Sequence, residues 1–134
     1  MRMTRRSLLK LTGAVAVAQA AAGKVAAQPA AVGVPPFELA DGTVSGLQAA
    51  MASGQRSAVS IAQAYLARID AVDRAGPAIN AMIELNPDAL AIAEALDRER
   101  REKGARGPLH GIPVVLKDNV DTADRMRTSA GSLA

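Results

Sequence analysis

The stretch that decides the fold is GPLHGIPVVLKDN, residues 107–119. It is a turn with two glycines and two prolines, followed by a short apolar run that ends in a lysine. Val114, Val115 and Leu116 predict a buried strand, because β-branched and apolar residues without alternation suit a strand that is covered on both faces. Lys117 then lies where this strand emerges, which is a common position for functional groups in α/β proteins.

The position of Lys117 allows two interpretations. If the strand end is desolvated, the pKa of the amine falls from its ordinary value of about 10.4 towards neutrality, and the amine can act as a general base. Otherwise the lysine is a strand-end residue whose stem packs against the protein while its ammonium group reaches solvent. The spacing of the residues alone favours the second interpretation.

The segments around this lysine resemble the amidase signature family. The similar stretches are GPLHGIPVVLKDNVDT (107–122), MRTSAGSLA (126–134), AQAYLARIDAVD (62–73) and INAMIELNPDAL (79–90). The resemblance covers about residues 42–134 and implies an α/β fold. The chain would contain the amino-terminal part of the amidase signature fold, a mixed β-sheet flanked by helices, and would be incomplete.

The resemblance implies a hydrolase that cleaves carboxylic amide bonds through a Ser–Ser–Lys triad. Lys117 would be the triad lysine, which accepts a proton relayed through a serine from the nucleophilic serine. Both serines of the family lie in a Gly/Ser-rich segment further downstream, so we expect this chain to stop before the serine motif and to be inactive alone. The resemblance implies a small-molecule amide substrate and neither a metal nor an organic cofactor.

Polar residues that flank Lys117 are candidates for supporting roles. Asp118 and Asn119 are expected to hydrogen-bond the loop backbone around the site, and a direct catalytic role is a weaker alternative. By resemblance, Thr128, Ser129 and Ser132 shape the wall of the active site, and Ser132 is the main candidate for a hydrogen bond near the triad. None of the three is expected to be the nucleophile.

The amino terminus predicts an export signal. Residues 4–10, TRRSLLK, match the twin-arginine pattern, and an apolar stretch at 11–22 is too short for a membrane-spanning helix of about 20 residues. Cleavage is expected between residues 22 and 28. We therefore assign residues 1–27 to a twin-arginine signal peptide and expect a bacterial protein, periplasmic or secreted, with no stable membrane anchor after cleavage.

Charge and composition exclude several classes of protein. Of the 16 basic residues, five lie in residues 1–27, which contain no acidic residue, whereas residues 28–134 hold all 13 acidic residues and are net negative. The net positive charge therefore belongs to the signal segment and gives no argument for nucleic-acid binding.

The chain has no cysteine and one histidine, His110, which excludes disulfides and the usual Cys/His zinc sites. We assign His110 a structural role in its loop.

The rest of the chain predicts helices alternating with strands. Residues 28–41 contain three prolines and no helical period, so they predict a linker or an extended arm. A helix is expected over 44–53, with Thr43 as its cap and Gly54 at its end. A second helix should run from Ser57 to about residue 74, before Gly76-Pro77.

A strand is expected over residues 78–85, with Ile79 and Ile83 facing inward. The third helix should begin at Asn86-Pro87 and continue to about Lys103. Its charged end, residues 97–103, predicts a solvated face with local ion pairs. The order helix–helix–strand–helix–strand is typical of an α/β fold.

Two alternatives to an amidase stay open. One is a noncatalytic exported interaction module built from the helices. The other is an amidotransferase-type subunit of the same family that acts on aminoacylated tRNA. The export signal argues against the second alternative, because its substrate is cytosolic.

Overall fold

The computed structural model describes residues 33–132 of the chain. This part forms α1 (Val44–Ala52), α2 (Ala58–Ile69) and α3 (Ala89–Lys103), and α2 continues into a π-helical turn, Asp70–Arg74. None of these helices is long and apolar enough to cross a membrane. The predicted signal peptide lies outside the described residues.

The boundaries of α1 and the start of α2 follow from the capping residues, as predicted, whereas α3 begins at Ala89, two residues after the predicted Pro87. The Thr43 hydroxyl accepts the Gly46 N–H at 3.0 Å, and Gly54, at φ +74°, ends the turn after α1. At the start of α2, the Ser57 hydroxyl accepts the Ser60 N–H at 3.0 Å, and the Ser60 hydroxyl accepts the Ser57 N–H at 2.9 Å. This reciprocal pair is a capping box, which satisfies backbone donors that have no partner within the helix.

Small apolar side chains form the core between the helices. Ile61 is completely buried on α2 and packs with residues from α1, α3 and the preceding arm. The buried set is Leu39, Leu47, Met51, Ala58, Ile61, Ala62 and Ala93. Three of the seven are alanines, which bury little apolar area each, so the core is small.

The described part of the predicted arm packs on α2. The rings of Phe37 and Tyr65 meet edge to face with their centroids 5.2 Å apart. The Arg68 guanidinium lies 5.4 Å from the Phe37 centroid and donates to the Pro35 carbonyl at 2.6 Å. Because Leu39 is also buried in the core, residues 35–39 are an integral part of the helical unit.

The two predicted strands are not formed by residues 33–132, which contain no β-strand. Ile79 and Ile83, expected to face inward, are 62% and 74% exposed, and Val115, expected to be buried, is 74% exposed. A strand requires a neighbour to satisfy its backbone groups, and the described residues supply none to either segment. The positive φ angle of Asn80, +54°, also interrupts the extended chain. The mixed sheet is therefore not confirmed.

The expectation of a solvated face over residues 97–103 is wrong for two of its residues. Asp97 is only 9% exposed, and its carboxylate accepts backbone N–H groups from the first turn of α2. Arg100 is half-buried and donates to Gln48 of α1. Both lie on the α3 face that carries Ala93, because positions i, i+4 and i+7 share one side of a helix.

Candidate functional site

Lys117 lies in the wall of an open cleft with a volume of about 260 Å³. Residues 81–84 form one wall of this cleft and residues 115–118 form the other. Residues 126–128 complete the lining, together with Val120 and Thr122. The two segments predicted as strands thus lie side by side across the cleft without pairing. Lys117 is exposed, so the desolvation expected from its sequence position is absent in this part of the chain.

The turn that precedes Lys117 is held by side chains from two helices. Gln48 of α1 donates its side-chain amide N–H to the Pro108 carbonyl at 2.8 Å and to the His110 carbonyl at 2.9 Å. Arg100 of α3 donates to the same His110 carbonyl at 2.8 Å and to the Gln48 side-chain oxygen at 2.7 Å. These contacts fix the backbone seven and nine residues before the lysine.

His110 completes this anchor and has the structural role that was expected. It is buried, its Nδ1 accepts the Arg106 N–H at 3.2 Å, and its Nε2 lies 2.9 Å from the Leu96 carbonyl. Since Nδ1 accepts, the hydrogen-bond network assigns the proton to Nε2, which donates to the carbonyl. The imidazole therefore joins the turn to α3 and does not face the cleft lining.

Gly111 lets the turn approach the helices closely. Its φ angle is +76°, and a Cβ atom built there would lie 2.9 Å from the Ala58 Cβ. Only glycine adopts this backbone conformation without strain, and only glycine fits the space. The apolar segment that leads to Lys117 therefore starts from a turn packed directly on α2.

Gln48 and Arg100 were not among the residues singled out from the sequence. The spacing of Ala93, Asp97 and Arg100 was a usable signal, because it places two charged residues on the buried face of α3. Gln48 had no such local signal, since its partners lie 60 and 62 residues away.

The Asp118 side chain binds Ser129. Its carboxylate accepts the Ser129 hydroxyl at 2.6 Å and the Ser129 N–H at 3.3 Å, while its backbone carbonyl accepts the Ala130 N–H at 3.1 Å. The hydroxyl bond, followed by the backbone N–H bond, lowers the pKa of Asp118 below its ordinary value, because both stabilise the carboxylate. Asp118 therefore holds a loop backbone, and its charge is directed to Ser129.

The other two predicted support residues do not line the cleft. Asn119 is exposed within the turn closed by the hydrogen bond from the Val120 N–H to the Lys117 carbonyl, at 2.9 Å. Ser132 is exposed, and its N–H donates to the Ser129 carbonyl at 2.8 Å. Neither is among the residues that line the cleft. Their roles near an active site, like the catalytic role of Lys117, stay predictions.

A buried acid fixes the wall that faces Lys117. Asp73, in the π-helical turn, accepts the Ala81 N–H at 2.6 Å and the Met82 N–H at 3.2 Å. Its backbone carbonyl also accepts the Asn80 N–H at 3.0 Å. Because Ala81 and Met82 line the cleft, the π-helical turn determines where this wall begins.

A loop over residues 121–130 contributes part of the cleft lining. The Arg127 N–H donates to the Glu84 carboxylate at 2.8 Å. The Arg125 guanidinium lies 3.0 Å from the Asp88 carboxylate at the start of α3.

Among the described residues, no group of three or more histidine, aspartate or glutamate side chains could hold a metal ion.

Comparison with known proteins agrees with the family resemblance. Residues 60–134 match the family described as Amidase. The peptide amidase of Stenotrophomonas maltophilia shares 56% sequence identity with the chain at a TM-score of 0.70, over 74% of this chain and 20% of that one. A second similar structure, at the same identity and TM-score, is the peptide amidase PAM in complex with the competitive inhibitor chymostatin; the match covers 73% of this chain and 20% of that one.

A relative of different function is also similar. A glutamyl-tRNA(Gln) amidotransferase subunit from Chloroflexus aurantiacus is 46% identical over 91 residues, which are 67% of this chain and 18% of the relative. The chain thus spans about a fifth of the length of these similar proteins. Together with the matched residues 60–134, these similarities show that the chain belongs to the amidase family.

Proposed function

We propose that the protein carrying this chain hydrolyses carboxylic amides and that Lys117 is its general base. The observation that carries the proposal is the place of Lys117 in the cleft wall, on a segment anchored at both ends. Gln48 and Arg100 hold the turn before it, and Asp118 holds the loop after it. A base must be held in place, because catalysis falls steeply with small displacements of the reacting groups.

The proposed reaction is acyl transfer to a serine followed by hydrolysis. The Lys117 amine accepts a proton relayed through one serine from the hydroxyl of a second, whose oxygen attacks the amide carbon. The tetrahedral oxyanion is stabilised by preorganised backbone N–H groups. Its collapse returns the proton to the leaving nitrogen, which departs as ammonia or an amine, and water then cleaves the acyl ester. We propose that both serines lie outside residues 1–134.

We propose that the two extended segments join a mixed β-sheet built with the remainder of the amidase domain. Support comes from their exposed apolar side chains, among them Ile83 and Val115, each 74% exposed. Segments of this kind, which have no strand partner, present unpaired backbone groups and apolar faces that strand pairing would cover. In such a sheet the stem of Lys117 would lose solvent, and the desolvation expected from the sequence would follow.

A peptide amide is the substrate class that the similarities favour. The peptide amidase from Stenotrophomonas maltophilia has the higher identity, 56%, whereas the amidotransferase subunit is 46% identical. The twin-arginine pattern at residues 4–10 also favours a substrate outside the cytosol. The amidotransferase is a second candidate because its similarity extends over 67% of this chain.

An assay of the complete protein tests these functions. Ammonia release from a peptide with an amidated carboxyl terminus is expected, and Lys117→Ala should abolish most of it. Lys103→Ala, at the exposed end of α3, is the matched control and should keep the rate. Transamidation of glutamyl-tRNA without peptide amide hydrolysis would favour the amidotransferase instead, and an absence of both activities would overturn the proposal.

Export has its own test. Changing Arg5 and Arg6 to lysine should retain the complete protein inside the cell, because the paired arginines are read by the export machinery. The matched control changes Arg2 and Lys24, which flank the pattern. Unchanged export of the Arg5/Arg6 variant would contradict the twin-arginine assignment.

A further inference from the structure

The loop over residues 121–130 is held by one carboxylate from each wall of the cleft. Glu84, in the wall that Asp73 anchors, accepts the Arg127 N–H at 2.8 Å. Asp118, next to Lys117 in the opposite wall, accepts the N–H of Ser129 at 3.3 Å and its hydroxyl at 2.6 Å. The two bonded backbone N–H groups are two residues apart, so a single short segment joins both walls.

Each carboxylate makes one short bond to the segment, Glu84 with the Arg127 N–H at 2.8 Å and Asp118 with the Ser129 hydroxyl at 2.6 Å. Hydrogen bonds with an ionised acceptor are shorter and roughly twice as strong as neutral ones. Glu84 and Asp118 are half-buried at the cleft, whereas Asp73 and Asp97 are buried among the helices. Glu84 and Asp118 therefore act on the loop that joins the two walls, whereas Asp73 fixes the start of one wall and Asp97 joins α3 to α2.

We propose that Glu84 and Asp118 are a pair of positioning residues for Lys117, and this rests on the proposed amide hydrolysis. Neither carboxylate acts on the substrate or exchanges a proton with it. Each binds the backbone of residues 127–129, and this shared segment sets the distance between the Lys117 wall and the wall that faces it. Loss of either carboxylate removes its bonds to this segment, loosens the link between the walls and lets the lysine move relative to the bound amide.

Kinetics of the complete protein provide the first test. Glu84→Ala and Asp118→Ala should each lower kcat for a peptide amide by tenfold or more, up to about 10²-fold, with a smaller change in KM, because misplacement affects the chemical step. The double variant should be hardly slower than the worse single variant, since both residues hold one segment. Glu94→Ala, an exposed glutamate of α3 outside the cleft lining, is the matched control and should keep the rate.

The conservative variants separate positioning from charge. Glu84→Gln and Asp118→Asn retain a side-chain oxygen that can accept the backbone N–H, so they should recover most of the lost kcat. The pH dependence of kcat should keep its shape in the Glu84→Gln and Asp118→Asn variants, because neither carboxylate acts as a catalytic acid or base. A pH profile that loses one limb in Asp118→Asn would overturn the positioning role in favour of direct acid–base chemistry.

Hydrogen exchange gives a readout that does not depend on activity. The Arg127 amide should exchange faster in Glu84→Ala and the Ser129 amide in Asp118→Ala, while the Ala58 amide at the start of α2 keeps its protection. Unchanged exchange at both loop amides overturns the inference, and so does a normal kcat in variants whose loop amides exchange faster. If the unaltered protein hydrolyses no amide, the proposed function fails, and faster loop exchange still supports the shared segment that joins the walls.

Discussion

The carboxylate of Asp97 lies 2.8 Å from the backbone nitrogen of Ala58, so a residue of α3 caps the amino terminus of α2. The second carboxylate oxygen accepts the Val59 N–H at 3.2 Å. The Ser57 hydroxyl takes the next donor, the Ser60 N–H. The first turn of α2 is therefore satisfied from two elements, and the helix macrodipole favours the negative charge there.

Asp97→Ala should destabilise the protein by about 2 kcal/mol, because a buried charged acceptor is lost and two backbone N–H groups are left without it. Asp97→Asn should cost less, since its amide oxygen can still accept one of them. The measurement is the midpoint of thermal or urea unfolding of the complete protein. The exposed Asp121 provides a matched control, and an Asp97→Ala midpoint equal to that of Asp121→Ala would contradict the capping role.

Gly111→Ala should destabilise the protein more than Gly54→Ala, although both glycines have a positive φ. Their φ angles are +76° and +74°, so both alanines meet the cost of a positive φ, about 1 kcal/mol. At Gly111 the new Cβ would also lie 2.9 Å from the Ala58 Cβ, whereas at Gly54 it would meet no atom within 4 Å. The difference between the two unfolding midpoints measures the steric part. Equal midpoints would show that the turn can move off α2.

Local sequence signals were sufficient for the helices and insufficient for the strands. Thr43, Ser57 and Gly54 act through neighbours within three residues, so their capping roles could be predicted from the chain alone. The segments 78–85 and 114–116 have strand-like composition, but a strand exists only through a partner. No described residue pairs with them, and their apolar side chains stay exposed.

The site shows the same division between local and distant contacts. Lys117 could be singled out because its apolar run and its flanking turn are contiguous in sequence. The residues that anchor it could not, since Gln48 meets the His110 carbonyl across 62 residues. The prediction that residues 97–103 are solvated was wrong at Arg100. In a run of mixed charges, the sequence does not distinguish the buried face of α3 from its exposed faces. Only the packed helices reveal which of those charges point inward.

Ser129→Ala should raise the pKa of Asp118 towards its ordinary value of about 3.9. Because folding lowers the pKa of Asp118, the contact with Ser129 stabilises the protein at pH values above the ordinary pKa. This stabilisation is lost as the pH falls through the pKa of the folded state. Carbon NMR titration of the Asp118 carboxyl group in both proteins measures the change. Ser53→Ala, which removes a hydroxyl bonded to the Ala50 carbonyl, is the control and should leave the titration unaltered. An identical Asp118 titration in Ser129→Ala would show that the hydroxyl is not its main partner.

Lys117→Arg decides whether the amine is a base or only a positive charge. The guanidinium of arginine stays protonated at every accessible pH and cannot accept a proton, yet it keeps the charge and much of the length of lysine. Both Lys117→Arg and Lys117→Ala should therefore lose most of the turnover of the complete enzyme, about 10²–10⁴-fold, with little change in the unfolding midpoint. Among the described residues, the Lys117 side chain makes no hydrogen bond or ion pair whose loss would lower that midpoint.

His110→Ala is the matched contrast for the lysine variants. It removes the bond to the Leu96 carbonyl and the acceptor for the Arg106 N–H, so it should lower the unfolding midpoint while the rate of the folded enzyme falls far less. Rates and midpoints measured on the same preparations separate the two effects. A Lys117→Arg enzyme with near-normal rates across neutral pH would show that the lysine is a strand-end charge and that another group accepts the proton.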